Sequence, residues 1–444
     1  MFANEITDIN FKKIRQRHAG AGGEMGNKRK IQGCLCAPAS KSMTQRAIAA
    51  ALLAQGVSEV RNPSRCDDAL AAAAVAKTLG AQIETTAAGY RITGVAPDRF
   101  PLQEAGVSLH VRESALCARL FAPVAALLYP AAAITGSGTL LHRPMNDLIT
   151  ALAAFGVTAA ATGHRYLPLQ LHGALQHGTA TIDASTSSQI ISGLLMALPL
   201  LHGNSEIRVE KLASRPYVDM TLELLQTFGI TVTNNRYERF QICGNQRYTP
   251  QTCTVEGDWS GAAFWLAAAA IGGGITVEGL HAGSAQADRA MLQVLQQAGA
   301  RLQWTGDTLT VRHGLLNAFR FNASDCPDLF PPVVLLAAFC NGISIIEGAE
   351  RLVHKESNRA TALQDTFGKL GVTITIEKNE MAVHGGNVHG GKVSSFHDHR
   401  MAMAAACVGL FTDEAVVIDD TRCVNKSYPD FFTDMEKITM NSEQ

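Results

Sequence analysis

Along the chain, an apolar Ala- and Leu-rich run long enough for a helix is followed by a short break, usually with Gly, and then by a β-branched stretch. The pattern appears as ALLAQGVSEV from Ala51, AALLYPAAAI from Ala125, ALPLLHGNSEI from Ala197, AAAAIGGGITV from Ala267, LAAFCNGISII from Leu336 and ACVGLFTDEAVVI from Ala406. Its starts lie about seventy residues apart, which marks a repeated structural unit. A second pattern interleaves with it. Helix starts are expected around Asp68, Asp147, Asp219, Asp288, Asn358 and Asp430, residues that cap free N–H groups or suit a first helical turn. Five of these helices are expected to end at Gly80, Gly156, Gly229, Gly299 and Gly371, each ahead of a β-rich stretch such as LLQTFGITVT. Gly tolerates the left-handed conformation that closes a helix. The two patterns together predict an α/β chain of six strand-helix-strand-helix-strand units.

Unit four opens with a fresh signal, TVEGDWSGAAF from Thr254, after the polar, Pro-bearing stretch Asn245 to Thr252. That break predicts two lobes of three units each. One lobe takes residues 40–255, and the other takes 29–39 and 256–444, with a hinge near Thr254 to Ser260 and a second crossing at Lys30 to Pro38. Residues 1–28 read as a flexible basic extension. Met1 to Lys30 holds seven Lys/Arg against three Asp/Glu and lacks the apolar core of a secretory signal, and Met25 offers an alternative start.

The unusual polar residues gather at the start of the first helix of each unit: SKSMTQR at Ser40, RESALCAR at Arg112, STSSQ at Ser185, GDWSG at Gly257, DCPDLF at Asp325 and HDHRM at His397. Helix N-termini present unpaired N–H groups and partial positive charge, so several converging ones would make an anion site. The expected site is a cleft between the lobes, lined by these helix ends.

Charge and cysteine content narrow the function classes. With 38 Lys+Arg against 39 Asp+Glu, the 444-residue chain has no net field for a polyanion, so no nucleic-acid partner is expected and any anion must meet a local cluster. Ten cysteines, with Cys34 and Cys36 alone as C-x-C, form neither a disulfide scaffold nor a zinc pattern. A reduced, cytoplasmic protein without metal is expected. The longest apolar stretch, Leu120 to Ile134, holds Pro123 and Pro130 and is too short for a bilayer, so no membrane span is expected.

Several motifs in order and register carry a resemblance. PASKSMTQRAIAAALL, STSSQIISGLLMALPL, SRPYVDMTL, VEGDWSGAAF, the CPD of ASDCPDLF, RLVHKESNR, HDHRMAMAAA and VNKSYPDFF resemble the 3-phosphoshikimate 1-carboxyvinyltransferase, or EPSP synthase, family from about Gln32 to Phe432. The resemblance implies the two-lobed enolpyruvyl transferase fold, with small-molecule substrates only, no cofactor and a monomeric enzyme. It also implies transfer of the enolpyruvyl group of phosphoenolpyruvate to the 5-hydroxyl of shikimate 3-phosphate, with release of phosphate, on the route to chorismate and aromatic amino acids. The substrates together carry roughly five to six negative charges. Matching cations stand in the motifs: Lys41, Arg46, Arg119, Lys355, Arg359, Arg400 and Lys426.

By this resemblance shikimate 3-phosphate is bound by Lys41, Ser42, Arg46, Ser187, Ser188, Gln189, Ser214, Tyr217, Asp328 and Lys355. Phosphoenolpyruvate is bound by Lys41, Arg119, Gln189, Arg359, Arg400 and Lys426. Asp328, Glu356 and Lys41 are the catalytic set: Asp328 accepts the hydroxyl proton, and Glu356 with Lys41 moves protons at the enol carbon. Positioned carboxylates among lysines suit that work. Asp398 and His399 are expected to orient Arg400. The plainer reading of each segment is a solvated basic residue, a helix cap or a structural aromatic beside Pro216.

The chain departs from the family pattern in places. Where the family usually reads Asn-Ala-Gly-Thr-x-x-Arg, this chain has Glu113, Ser114, Ala115, Leu116, Cys117, Ala118 and Arg119, keeping only the last. A methyl at Ala115 would narrow the space beside the phosphoenolpyruvate phosphate. Many members place a phosphoenolpyruvate-binding arginine after Gly-Glu-Pro, and here that position is Thr139, which cannot replace a guanidinium fork. Arg112 is the nearest candidate substitute, Arg143 a more distant one, and Arg351 stands where some members have Asn. Two rival readings remain. Enolpyruvyl transfer to a UDP-amino sugar belongs to a family with Lys-Asn in place of Lys41-Ser42 and without the HDHR and KESNR pair. A non-catalytic binder of an anionic metabolite would need no proton relay, yet Lys41, Asp328, Glu356 and Lys426 are all present.

Overall fold

The computed structural model describes residues 31–95, 105–161 and 166–440. The basic extension expected at residues 1–28 lies outside them. The chain divides into two compact units: Ala39–Glu256 with Ala285–Ala287, and the residues up to Pro38 with Gly257–Ser284 and Asp288–Gln444.

The Ala- and Leu-rich runs fold as central helices because they are apolar on every side, which only a core position accommodates. These are α1 (Lys41–Leu53), α3 (Ala115–Leu128), α5 (Gln189–Ala197), α7 (Trp259–Gly272), α9 (Phe330–Ala338) and α11 (His399–Val408). Every residue of α3, α9 and α11 is buried. In the first unit α3 packs on α1 and α5, and in the other α7, α9 and α11 pack on one another. The second helices are α2 (Asp67–Thr78), α4 (Asn146–Ala153), α6 (Arg215–Thr227), α8 (Met291–Ala298), α10 (Arg359–Gly368) and α12 (Phe431–Met440). Past the ends of α2, α4, α6, α8 and α10, Gly80, Gly156, Gly229, Gly299 and Gly371 take φ from +81° to +109°, the region where a side chain would be strained.

Two helix starts differ from the pattern. Helix α6 begins at Arg215, so Asp219 lies inside it; Pro216 fixes the start because its ring is tolerated only in a first turn. Asp288 sits on a short 3-10 helix, Ala287–Ala290, ahead of α8.

Five sheets share one plan, with four strands in place of the three expected per unit. Val107–His110 runs parallel to Ala131–Thr135, which is antiparallel to Leu169–His172, and that strand pairs antiparallel with Thr158–Ala161. The unit thus closes with a hairpin, whose four- and five-residue arms the sequence pattern merged into one β-rich stretch. Two sheets take their first strand from far away in the chain. Thr252–Thr254 pairs parallel with Val57–Arg61, and Ile31–Cys36 pairs parallel with Gly273–Glu278. The sixth sheet has two strands, Gly391–Val393 and Val416–Ile418, and the chain then forms α12, which packs on Ile31–Cys36.

Candidate active site

All six polar runs stand at starts of central helices. In the unit Ala39–Glu256, the Ser40 hydroxyl caps α1 by accepting from Met43 N at 3.4 Å. Beside it, Lys41 Nζ lies 3.1 Å from Asp68 Oδ2, a largely buried pair. Arg46, one turn after Ser42, points inward and is 1% exposed. Its Nε donates to Thr221 Oγ1 at 2.8 Å, Nη1 to the Ser42 carbonyl at 3.0 Å, and Nη2 to the Tyr217 carbonyl at 3.1 Å and Ser192 Oγ at 3.4 Å. Burial pushes the Arg46 pKa down to about 10, and Tyr217 acts in the opposite sense.

Arg119 projects from α3, and its Nη1 donates to Gln189 Oε1 at 3.1 Å, so the second and third polar runs meet. Its Nη2 donates to the Pro144 carbonyl at 2.7 Å. Ser187 Oγ accepts from Gln189 N at 3.3 Å at the start of α5, while Ser188 is buried and makes no side-chain cap bond. Ser214 precedes α6 in the left-handed region, φ +55°, and its carbonyl accepts from Tyr217 N. The departing residues are also placed. Arg112 Nη1 is 2.8 Å from Asp67 Oδ1 at a half-exposed pair, and Glu113 accepts from the Thr139 hydroxyl at 3.0 Å. Ala115 is the first residue of α3 and is buried.

In the other unit the segments at the starts of α9, α10 and α11 build a dense ionic network. Asp328, on the 3-10 turn Pro327–Leu329 before α9, places Oδ1 2.7 Å from Arg359 Nη1 and 3.4 Å from Lys355 Nζ, and Oδ2 3.2 Å from Arg400 Nη2. Glu356 Oε2 accepts from Arg359 Nη2 at 2.6 Å, and Oε1 is 3.7 Å from Lys426 Nζ. Asp398, wholly buried, caps α11 by accepting from Arg400 N at 3.0 Å, holds Arg359 Nε at 2.7 Å and accepts from Ser357 Oγ at 3.1 Å. Its neighbour His399 is equally buried, with Nδ1 3.8 Å from Asp398 Oδ1. Four cations therefore face three carboxylates within hydrogen-bonding or ion-pair reach.

The electrostatics follow from this crowding. Burial alone would raise the Asp328 pKa, but Arg400, Lys355 and Arg359 outweigh it and hold the carboxyl well below the ordinary range. Burial opposes the charge on Arg359 too, and Asp398, Glu356 and Asp328 more than offset it, keeping its pKa well above the ordinary value. Burial lowers the pKa of Arg351, on the 3-10 helix Ala349–Leu352, with Asp325 and Asp328 working against the shift.

Sequence reasoning read Asp68 only as a helix start and did not single out Thr221, Ser192 or Ser260. Asp68 pairs with Lys41, Thr221 and Ser192 receive Arg46, and Ser260 Oγ lies 3.1 Å from Arg400 Nη2. The usable signal was position: Ser260 follows the Asp258 cap of α7 by two residues, inside the GDWSG run. A cavity of ≈ 180 Å³ at the C-terminal ends of α7, α9 and α11, lined by Ile271, His313, Leu315, Phe339 and Phe411 among others, contains none of these charged groups. Among the described residues no group of three or more His, Cys, Asp or Glu could hold a metal ion.

Comparison with known proteins gives a consistent result. A model of the family described as EPSP synthase (3-phosphoshikimate 1-carboxyvinyltransferase) matches residues 26–435. A 3-phosphoshikimate 1-carboxyvinyltransferase of Clostridium kluyveri is 35% identical over 417 residues, covering 93% of this chain and 96% of that protein. Another from Methanosarcina acetivorans is 36% identical over 433 residues, covering 94% and 98%. Among solved structures, an EPSP synthase of Acinetobacter baumannii, 24% identical, superposes with a TM-score of 0.77 over 93% of this chain and 96% of that one, a likeness of fold.

Proposed function

Because the chain belongs to the EPSP synthase family, we propose that it transfers the enolpyruvyl group of phosphoenolpyruvate to the 5-hydroxyl of shikimate 3-phosphate and releases phosphate. The observation that carries this reading is the network around Arg359, where the carboxylates of Asp328 and Glu356 are held among Lys355, Arg359, Arg400 and Lys426. A binding site for anions needs the cations alone. The two carboxylates are what proton transfer adds.

In the proposed course the 5-hydroxyl oxygen bonds to C2 of phosphoenolpyruvate as a proton enters the C3 methylene. The resulting tetrahedral carbon carries both oxygens. Its bond to the phosphate oxygen then breaks as the C3 methyl loses a proton, which regenerates the double bond. Asp328 takes the hydroxyl proton. In the free protein its cations hold it deprotonated but weakly basic; when substrate anions share Arg400, Lys355 and Arg359, that pull relaxes and Asp328 becomes a stronger base. Glu356 and Lys41 carry the proton to and from C3. Lys41, Ser42, Ser187, Ser188, Gln189, Ser214, Tyr217 and Lys355 are assigned to shikimate 3-phosphate. Arg46 serves it through the Ser42 and Tyr217 carbonyls that it holds. Lys41, Arg119, Gln189, Arg359, Arg400 and Lys426 are assigned to phosphoenolpyruvate. The same reading makes the protein a monomer of the reduced cytoplasm; its ten cysteines are free, and no helix among the described residues is long and apolar enough to cross a membrane.

Running the reaction in D2O tests this course. A methyl group formed from the methylene and one solvent deuteron loses H or D, so the product is expected to carry deuterium at its vinyl carbon. Product free of deuterium would rule out addition and elimination at that carbon.

A further inference from the structure

The two residues that depart most from the family pattern, Glu113 and Thr139, touch one another. Glu113 Oε2 accepts from the Thr139 hydroxyl at 3.0 Å and from the Thr139 backbone N–H at 3.4 Å. The carboxylate lies flush against the loop: a Cβ at Gly138, φ +55°, would stand 2.0 Å from Glu113 Oε1. A second link joins the same segments, Ser137 N donating to the Arg112 carbonyl at 2.8 Å.

Thr139 belongs to the 3-10 helix Gly138–His142, whose Ser137 makes no side-chain cap bond. Glu113 supplies that function from outside, a negative group at a helix start with a free N–H to satisfy. Leu140 pins the middle of the element in the core, and Met145 pins the residue beyond Pro144. Between them the Pro144 carbonyl accepts from Arg119 Nη2 at 2.7 Å. One short, anchored segment, the 3-10 helix and the two residues after it, thus connects Glu113 at its start with the guanidinium of Arg119 at Pro144. Both residues lie in the same polar run, six positions apart, on either side of the Ser114 cap of α3.

We propose that Glu113 and Thr139 are positioning residues for Arg119: their bond sets the 3-10 helix, whose exit presents the Pro144 carbonyl that aims the guanidinium. The pair therefore tunes the anion that Arg119 receives without touching it. This rests on the reading above, in which that anion is phosphoenolpyruvate.

The test is steady-state kinetics on the full chain with T139V, T139S, E113A, the double variant E113A/T139V, and R119A. T139V keeps the side-chain volume and removes the hydroxyl; E113A removes the acceptor. T139V is expected to raise the KM for phosphoenolpyruvate by about tenfold, the worth of one hydrogen bond to a charged group, and E113A, which removes both bonds, by at least as much, while kcat and the KM for shikimate 3-phosphate stay within about threefold. T139S restores the hydroxyl and the native KM. The double variant is no worse than E113A alone, because the bond that T139V removes is one of the two that E113A already removes. R119A raises the KM for phosphoenolpyruvate further than any of them. If T139V and E113A leave that KM within about twofold while R119A raises it, the positioning role is wrong and the reading of Arg119 stands. If R119A itself leaves it unchanged, Arg119 does not bind phosphoenolpyruvate, and the proposal falls with that reading. Should E113A fail to fold, T139V and T139S decide the matter.

Discussion

Asp328 is a carboxylate whose neighbours decide its state. A pKa depressed in the folded protein adds stability that is complete above the unfolded value near 3.8 and is lost as the pH falls through the folded value. Asp328→Asn removes that contribution, so its urea-unfolding free energy should fall less than that of the wild type as the pH is lowered below 3.8. At neutral pH the same variant is expected to lose at least about a hundredfold in kcat, the usual scale of a lost general base. An activity within tenfold of wild type would remove Asp328 from the proton path. At this scale the sequence was legible where a motif held residues that meet in one ionic network, as Asp328 of DCPDLF and Glu356 of HKESNR do at Arg359. It was not legible where a residue's part depends on which atoms reach it through space. Nothing in SKSMTQR says that Arg46 turns inward to Thr221, 175 positions away, or that Lys41 leans on Asp68.

The elements place these residues through their caps. Ser114 caps α3 by accepting from Cys117 N at 3.3 Å, and its hydroxyl donates to Gln45 Oε1 of α1 at 3.2 Å, tying the starts of two central helices together. Ser114→Ala loses the cap and leaves a buried amide oxygen without that donor, at a cost of about 1–2 kcal/mol. The check is a lower urea midpoint with an unchanged slope; an unchanged midpoint would show that the cap contributes nothing. Asp398 does more than the orienting role read from HDHR, since one buried carboxylate starts α11 at Arg400 and also fixes Arg359 on α10. Helix starts were legible wherever a capping residue met an apolar run. Helices α6 and α8 escaped: Pro216, and not Asp219, marks the first turn of α6, and Asp288 stands on the 3-10 helix ahead of α8.

For the whole molecule, the period of about seventy residues and the two compact units both come from one repeated grouping of helices and strands. The closing hairpins were hidden because their arms are only four or five residues long and half exposed, too short for alternation to separate them. Neutral overall charge combined with local clusters of cations suits selective binding of small anions rather than of a polyanion. The central claim, enolpyruvyl transfer by this chain, is tested most directly by phosphate release from the purified protein given phosphoenolpyruvate and shikimate 3-phosphate, with each substrate omitted in turn and with Lys41→Ala alongside. Release that needs both substrates and is abolished in the variant is the predicted result; no release while shikimate 3-phosphate still binds would contradict it.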